Sequence, residues 1–135
     1  MKRIFVLLLG LLAMHTMQAQ VTVSDLRCEM LVNLLGIDVT QPRLSWQINS
    51  TQRNVQQQSY QLIVASSIEK LNQNIGDLWS SGKIISNQSV HIVYNGRTLQ
   101  SKTTCYWKVK TFTNKGTSEW SKPAFFSIGL LNKDD

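Results

Sequence analysis

The groups in this 135-residue sequence that could do chemistry are few: carboxylates at Asp25, Glu29, Asp38, Glu69, Asp77 and Glu119, two more at Asp134 and Asp135, imidazoles at His15 and His91, and thiols at Cys28 and Cys105. Inverting glycoside hydrolysis would need two carboxyls about 6.5–9.5 Å apart, one of them held protonated by its surroundings. Asp25 and Glu29 are four residues apart, which in a strand rising about 3.3 Å per residue places them on one face about 13 Å apart, too far for that task. Glu69 and Asp77 flank a segment with helical spacing and read as solvated charges. His15 lies in the N-terminal stretch expected to leave as a secretory signal and His91 falls in an outward slot of a strand-like run, so with one remaining imidazole and two distant thiols no zinc-ligand spacing exists. These residues predict no catalytic site, no cofactor site and no metal site.

Aromatic residues are the other candidates. In "GTSEWSKP", Gly116–Pro123, a tryptophan stands between two serines, after a glycine turn and before a proline. Trp120 could serve as a sugar-stacking platform, a core plug or part of a strand-locking ladder. Trp79, in "DLWSSGK", is either a surface aromatic or a lid over the core edge, and Leu78 beside it favours the lid. Trp46 and Trp107 alternate with polar neighbours inside strand-like runs and are expected in the core.

These groups need a scaffold, and composition says what kind. With 42% hydrophobic and 16% charged residues, the chain can bury a core and is not disordered. Met1-Lys2-Arg3 followed by the apolar run Ile4–Met14 has the form of a secretory signal, too short to span a bilayer, with Ala19 available for cleavage. Residues 1–19 are therefore expected to be removed, leaving a secreted or periplasmic protein with no membrane attachment. Loss of Lys2 and Arg3 lowers the net charge from +6 to +4. The remaining cations are dispersed, Lys108 and Lys110 alternating on one strand and Arg43, Arg53 and Arg97 standing alone, so no nucleic-acid partner is expected.

Alternation of apolar and polar residues marks seven strands. The first runs from Val21 to Cys28. The second, after Pro42, turns Leu44, Trp46 and Ile48 to one side; the third turns Tyr60, Leu62 and Val64 inward. A short one covers Lys83–Ile85. "SVHIVY" places Val90, Ile92 and Tyr94 together and ends on Asn95-Gly96, a tight-turn signal. "CYWKVKTF" turns Cys105, Trp107 and Val109 in and Lys108 and Lys110 out, and "AFFSIG" is the last. Between Ser66 and Gly82, Ile68, Leu71 and Ile75 are spaced for a short helix near residues 67–75, ended by Gly76. The expectation is an all-β, seven-stranded antiparallel sandwich over residues 20–131, with residues 132–135 as a tail or the start of a linker.

Leu99, Thr103, Cys105, Trp107 and Val109 follow the spacing of the fibronectin type III signature around its sixth strand, except that Cys105 stands where that family has its corner tyrosine and Tyr106 points to the other face. The ordered blocks "DLRCEMLVNLLGIDVTQPRLSWQI", "SYQLIVASSIEKL", "GDLWSSGKI" and "CYWKVKTF" through "SEWSKPAFFSIGLL" resemble the N-terminal immunoglobulin-like or fibronectin type III-like domain of bacterial α-L-rhamnosidases, especially the secreted enzymes of Bacteroides-type bacteria. The resemblance implies a non-catalytic accessory domain of an inverting rhamnosidase whose acid and base lie in a later helical barrel, with the downstream domains as its partners and the domain itself a monomer. The alternative is a free-standing secreted module binding carbohydrate or protein.

The same resemblance bears on the remaining residues. It places Trp120 beside the sixth strand, where Lys108 and Lys110 project, so that a cation can sit over the indole; strand locking is the favoured role. It also sets Cys28 and Cys105 on opposite sheets. A bridge closing 105 − 28 = 77 residues would contribute about 4 kcal/mol, but the positions favour two buried thiols. Asn49-Ser50-Thr51 and Asn87-Gln88-Ser89 match glycosylation sequons that carry little meaning in a bacterial protein.

Overall fold

A computed structural model describes residues 21–135; the expected signal, residues 1–19, lies outside them. Two antiparallel sheets face each other. One holds β1 (Thr22–Cys28), β2 (Arg43–Asn49) and β5 (Ile92–Val93) in the order β1-β2-β5. The other holds β3 (Gln57–Ala65), β4 (Trp79–Ile85), β6 (Thr104–Thr113), β7 (Gly116–Thr117) and β8 (Ala124–Ser127), in the order β4-β3-β6, with β7 and β8 both pairing β6. A five-residue helix, α1 (Ile68–Asn72), is the described helical element. The all-β sandwich is as expected, with one strand more, the two-residue β7.

Alternation dictates the interior. Leu44, Trp46, Leu62, Val64, Trp107, Val109 and Phe126 are buried between the sheets. Trp46 stacks edge-on to Tyr60 at 5.1 Å, and its indole N–H donates to Gln57 Oε1 at 3.0 Å. The Gln57 amide in turn donates to the carbonyls of Ser86 and Gln88, so this buried polar side chain is fully engaged.

Three expectations fail for local reasons. In β1 the register shifts between Ser24 and Arg27, with Asp25 at φ 54°; this bulge resets the alternation, so Val21 and Val23 are followed inward by Leu26 and Cys28. Asp25 and Glu29 therefore do not share one strand face as expected. In "SVHIVY", His91 at φ 56° interrupts the strand and turns Val90 outward, 43% exposed. Asn95-Gly96 does not close a hairpin. Arg97 N–H donates to the Leu78 carbonyl instead, and a Cβ at Gly96 would collide with that carbonyl and with the Tyr94 hydroxyl, so glycine is needed for close approach.

Around α1, Ser67 caps the helix by accepting from Lys70 N–H at 3.2 Å. The helix ends at Asn72, with Asn74 left-handed at φ 60°, before Gly76, and Ile75 is exposed while Leu71 is buried. At the C-terminus the Asp135 carboxylate accepts from Asn132 N–H at 2.9 Å and from the Ser101 hydroxyl.

Candidate functional site

The outer face of the five-stranded sheet gathers the residues singled out around Trp120. On β6, Tyr106, Lys108, Lys110 and Phe112 alternate outward, paired across to Ala65, Ile63, Gln61 and Ser59 of β3. Leu71 of α1 packs on Ile63 and Ala65, and Ile68, Tyr106 and Trp120 close over them as a second, smaller apolar cluster. The Trp120 ring carries Lys108 Nζ at 4.9 Å and Lys110 Nζ at 5.7 Å from its centroid. Lys108 is buried and donates to Asn74 Oδ1 at 2.5 Å; burial holds its amine below the usual lysine range. A third cation, Lys83, sits 4.3 Å over Phe112.

The serines on either side explain why the segment stays there. Ser118 N–H donates to the Thr111 carbonyl and Ser118 Oγ accepts from Thr111 N–H, both at 2.9 Å. Ser121 repeats the pattern on Val109, its N–H donating at 2.8 Å and its Oγ accepting at 3.0 Å. Each serine thus closes a two-bond ring on β6, its hydroxyl replacing the carbonyl that a regular partner strand would supply. The spacing of three in "SEWS" matches the spacing of two along β6 and swings the intervening tryptophan over the sheet. Sequence reading placed the ladder on the lysines and missed this hydroxyl pairing.

Trp79 begins β4, which is longer than the expected Lys83–Ile85, so it does not lie in a loop. It is half-buried against the core, edge-on to Tyr94 at 5.5 Å. The Tyr94 hydroxyl donates to the Arg97 carbonyl at 2.7 Å, and burial pushes its pKa up to about 12. Cys105 occupies the position of the family's corner tyrosine; the tyrosine hydroxyl that ties backbone carbonyls here is that of Tyr94, just after β5.

The carboxylates are tied into local structure. Asp25 pairs with Arg27 at 3.1 Å and Glu29 with Arg43 at 2.8 Å; the hydrogen bond from Arg43 holds Glu29 below the usual carboxylate range. Asp77 accepts from Ser66 N–H at 2.9 Å and Ser66 Oγ at 2.5 Å, and pairs with Lys70 at 3.2 Å. It is a loop clamp and not the simply solvated charge expected. Asp38 and Asp135 line one open hollow of about 650 Å³. Hydrogen bonds from Ser101 and Asn132 lower the Asp135 pKa, the opposite of what a general acid requires. His91 is exposed. Among the described residues no group of three or more His, Cys, Asp or Glu could hold a metal ion. Cys28 on β1 and Cys105 on β6 are unbridged, and burial pushes both thiols up to about 12, so neither is a nucleophile.

Comparison with known proteins fits this arrangement. Residues 23–132 match the family model for the Rha78A-like, N-terminal immunoglobulin domain. An α-L-rhamnosidase of Formosa agariphila is 36% identical over 104 residues, 76% of this chain and 11% of that protein. One from Streptomyces avermitilis is 40% identical over 98 residues, 72% of this chain and 9% of that protein. Among solved structures, the α-L-rhamnosidase from Dictyoglumus thermophilum superposes with a TM-score of 0.80 at 38% identity, over 84% of this chain and 13% of that chain. The Streptomyces avermitilis enzyme complexed with L-rhamnose also gives 0.80, at 36% identity, over 84% and 11%. The chain spans about a tenth of the length of the curated relatives it matches. It belongs to the family of Rha78A-like N-terminal immunoglobulin domains.

Proposed function

We propose that this domain is a non-catalytic accessory module that folds with, spaces or orients the body of a secreted or periplasmic α-L-rhamnosidase, itself contributing a monomeric sandwich. One observation carries the reading: the match covers most of this chain but only about a tenth of each relative. The carboxylates agree with it, since Asp25, Glu29 and Asp77 are each spent on a cation or a backbone amide. A sugar-binding module would need free, coplanar aromatic faces. Trp79 is edge-on to Tyr94 and Trp120 is occupied by lysines and the Leu71 cluster, which disfavours that alternative.

The test is made in the Streptomyces avermitilis relative. Deleting its matching segment should lower its melting midpoint or its yield of soluble enzyme, and grafting residues 21–132 of this chain in its place should restore part of the loss. Unchanged stability and turnover after deletion would overturn the accessory role.

A further inference from the structure

The chain between β1 and β2 is short of regular structure but tightly held. Leu31 and Cys28 exchange backbone hydrogen bonds in a tight turn. The Leu34 carbonyl accepts from Ser127 N–H, Ile37 N–H donates to the Ser127 carbonyl, and the Ile37 carbonyl accepts from Gly129 N–H, so residues 34–37 run alongside the backbone leaving β8. Gly36 N–H is bound by Ser127 Oγ and Asn33 Oδ1 receives Phe125 N–H. Glu29, Met30, Asn33 and Gly36 are all held at positive φ. A loop fixed at this conformational cost could turn its apolar residues inward, yet Leu31, Val32 and Leu35 are 54, 57 and 68% exposed. Leu130, directly after the pinned Gly129, is exposed as well. Val32 also borders a groove of about 450 Å³ floored by Val23, Leu26, Pro123 and Ala124. Large side chains held rigidly in water, grouped on one segment, mark an interaction surface.

We propose that the ridge Leu31–Leu35 with Leu130 is the docking surface for the part of the parent rhamnosidase that follows this domain in the same polypeptide, an inference that rests on the accessory reading above. The occupant is chosen by position. The matched family is an N-terminal domain, and it makes up about a tenth of each relative, so the remainder follows the residues after β8. Those residues are the ones against which the ridge is pinned. A neighbour tethered there meets the ridge at high effective concentration, so it needs little area to stay docked.

The experiment places a single cysteine at Leu35→Cys, or at Ile85→Cys, 90% exposed on the other sheet, and follows maleimide labelling in the isolated domain and in the Streptomyces avermitilis graft. Cys28 and Cys105 are buried and react slowly in both. In the graft, labelling at position 35 should slow at least about tenfold while position 85 keeps its rate, because a docked surface reacts only on local opening. Equal rates at position 35 in graft and isolated domain overturn the surface, and if the deletion has already cost stability the accessory reading survives without it. Slowing at both positions, or slowing in the isolated domain that disappears on dilution, overturns it too, the latter assigning the ridge to a second copy. Independently, Leu31→Ser with Leu35→Ser should leave the isolated domain's melting midpoint unchanged; a large fall would show that the ridge serves the domain's own core.

Discussion

Replacing Trp120 by alanine separates the three roles that its sequence position allows. A tryptophan buries about 150–250 Å². Trp120 keeps part of its surface, so about 100 Å² at about 25 cal/mol/Å² gives about 2.5 kcal/mol. Lysines over the ring, 4.9 and 5.7 Å from its centroid, add about 0.5–1 kcal/mol. Two effects return some of this: Lys108 regains water when the ring goes, and the denatured chain already buries part of the indole. A net loss of about 2 kcal/mol remains, which for a domain of this size lowers the melting midpoint by about 8 °C. The assay is urea unfolding followed by circular dichroism, where the midpoint should fall with the slope unchanged. An unchanged midpoint would refute the ladder and return the ring to an exposed platform; a loss above about 4 kcal/mol would make it a core plug.

Ser121→Ala removes the oxygen that receives the buried Val109 N–H, and should cost about 1–3 kcal/mol in the same unfolding assay with little change in fold. Thr111 Oγ1 is buried without a hydrogen-bond partner, so Thr111→Val should raise stability by about 1 kcal/mol, read as a higher urea midpoint. Stability should also fall on the alkaline side. Cys28 and Cys105 are raised from 9.0 to about 12, so the stability they contribute is complete below pH 9 and is lost as pH rises toward 12, by as much as about 4 kcal/mol per thiol. Urea midpoints of the protein and of Cys28→Ala/Cys105→Ala should converge over that range.

The strands were legible because burial on one face imposes period two, and Trp46, Leu62, Val64, Trp107 and Val109 lie where that period puts them. Where the backbone leaves the period, sequence reading failed: the bulge at Asp25 and the positive φ at His91 are single-residue events that alternation cannot announce. Asn95-Gly96 misled for a related reason. Its glycine serves close packing against the Leu78 carbonyl, a contact made across 18 residues of chain. The Trp120 ladder was half legible: the lysines could be placed by alternation, whereas the serine hydroxyls pair with β6 only once the segment lies along its edge. The loop clamp at Asp77 was hidden because its partners, Ser66 and Lys70, precede it by a helical turn and more.

The central claim is that this domain supports a rhamnosidase without performing its chemistry. The direct measurement is release of chromophore from an aryl α-L-rhamnoside by the purified domain at micromolar concentration over a day, beside a variant in which Glu29, Glu69 and Asp77 are changed to their amides. The account predicts no release above the buffer blank in either protein. Turnover by the unaltered domain that disappears in the amide variant would contradict it.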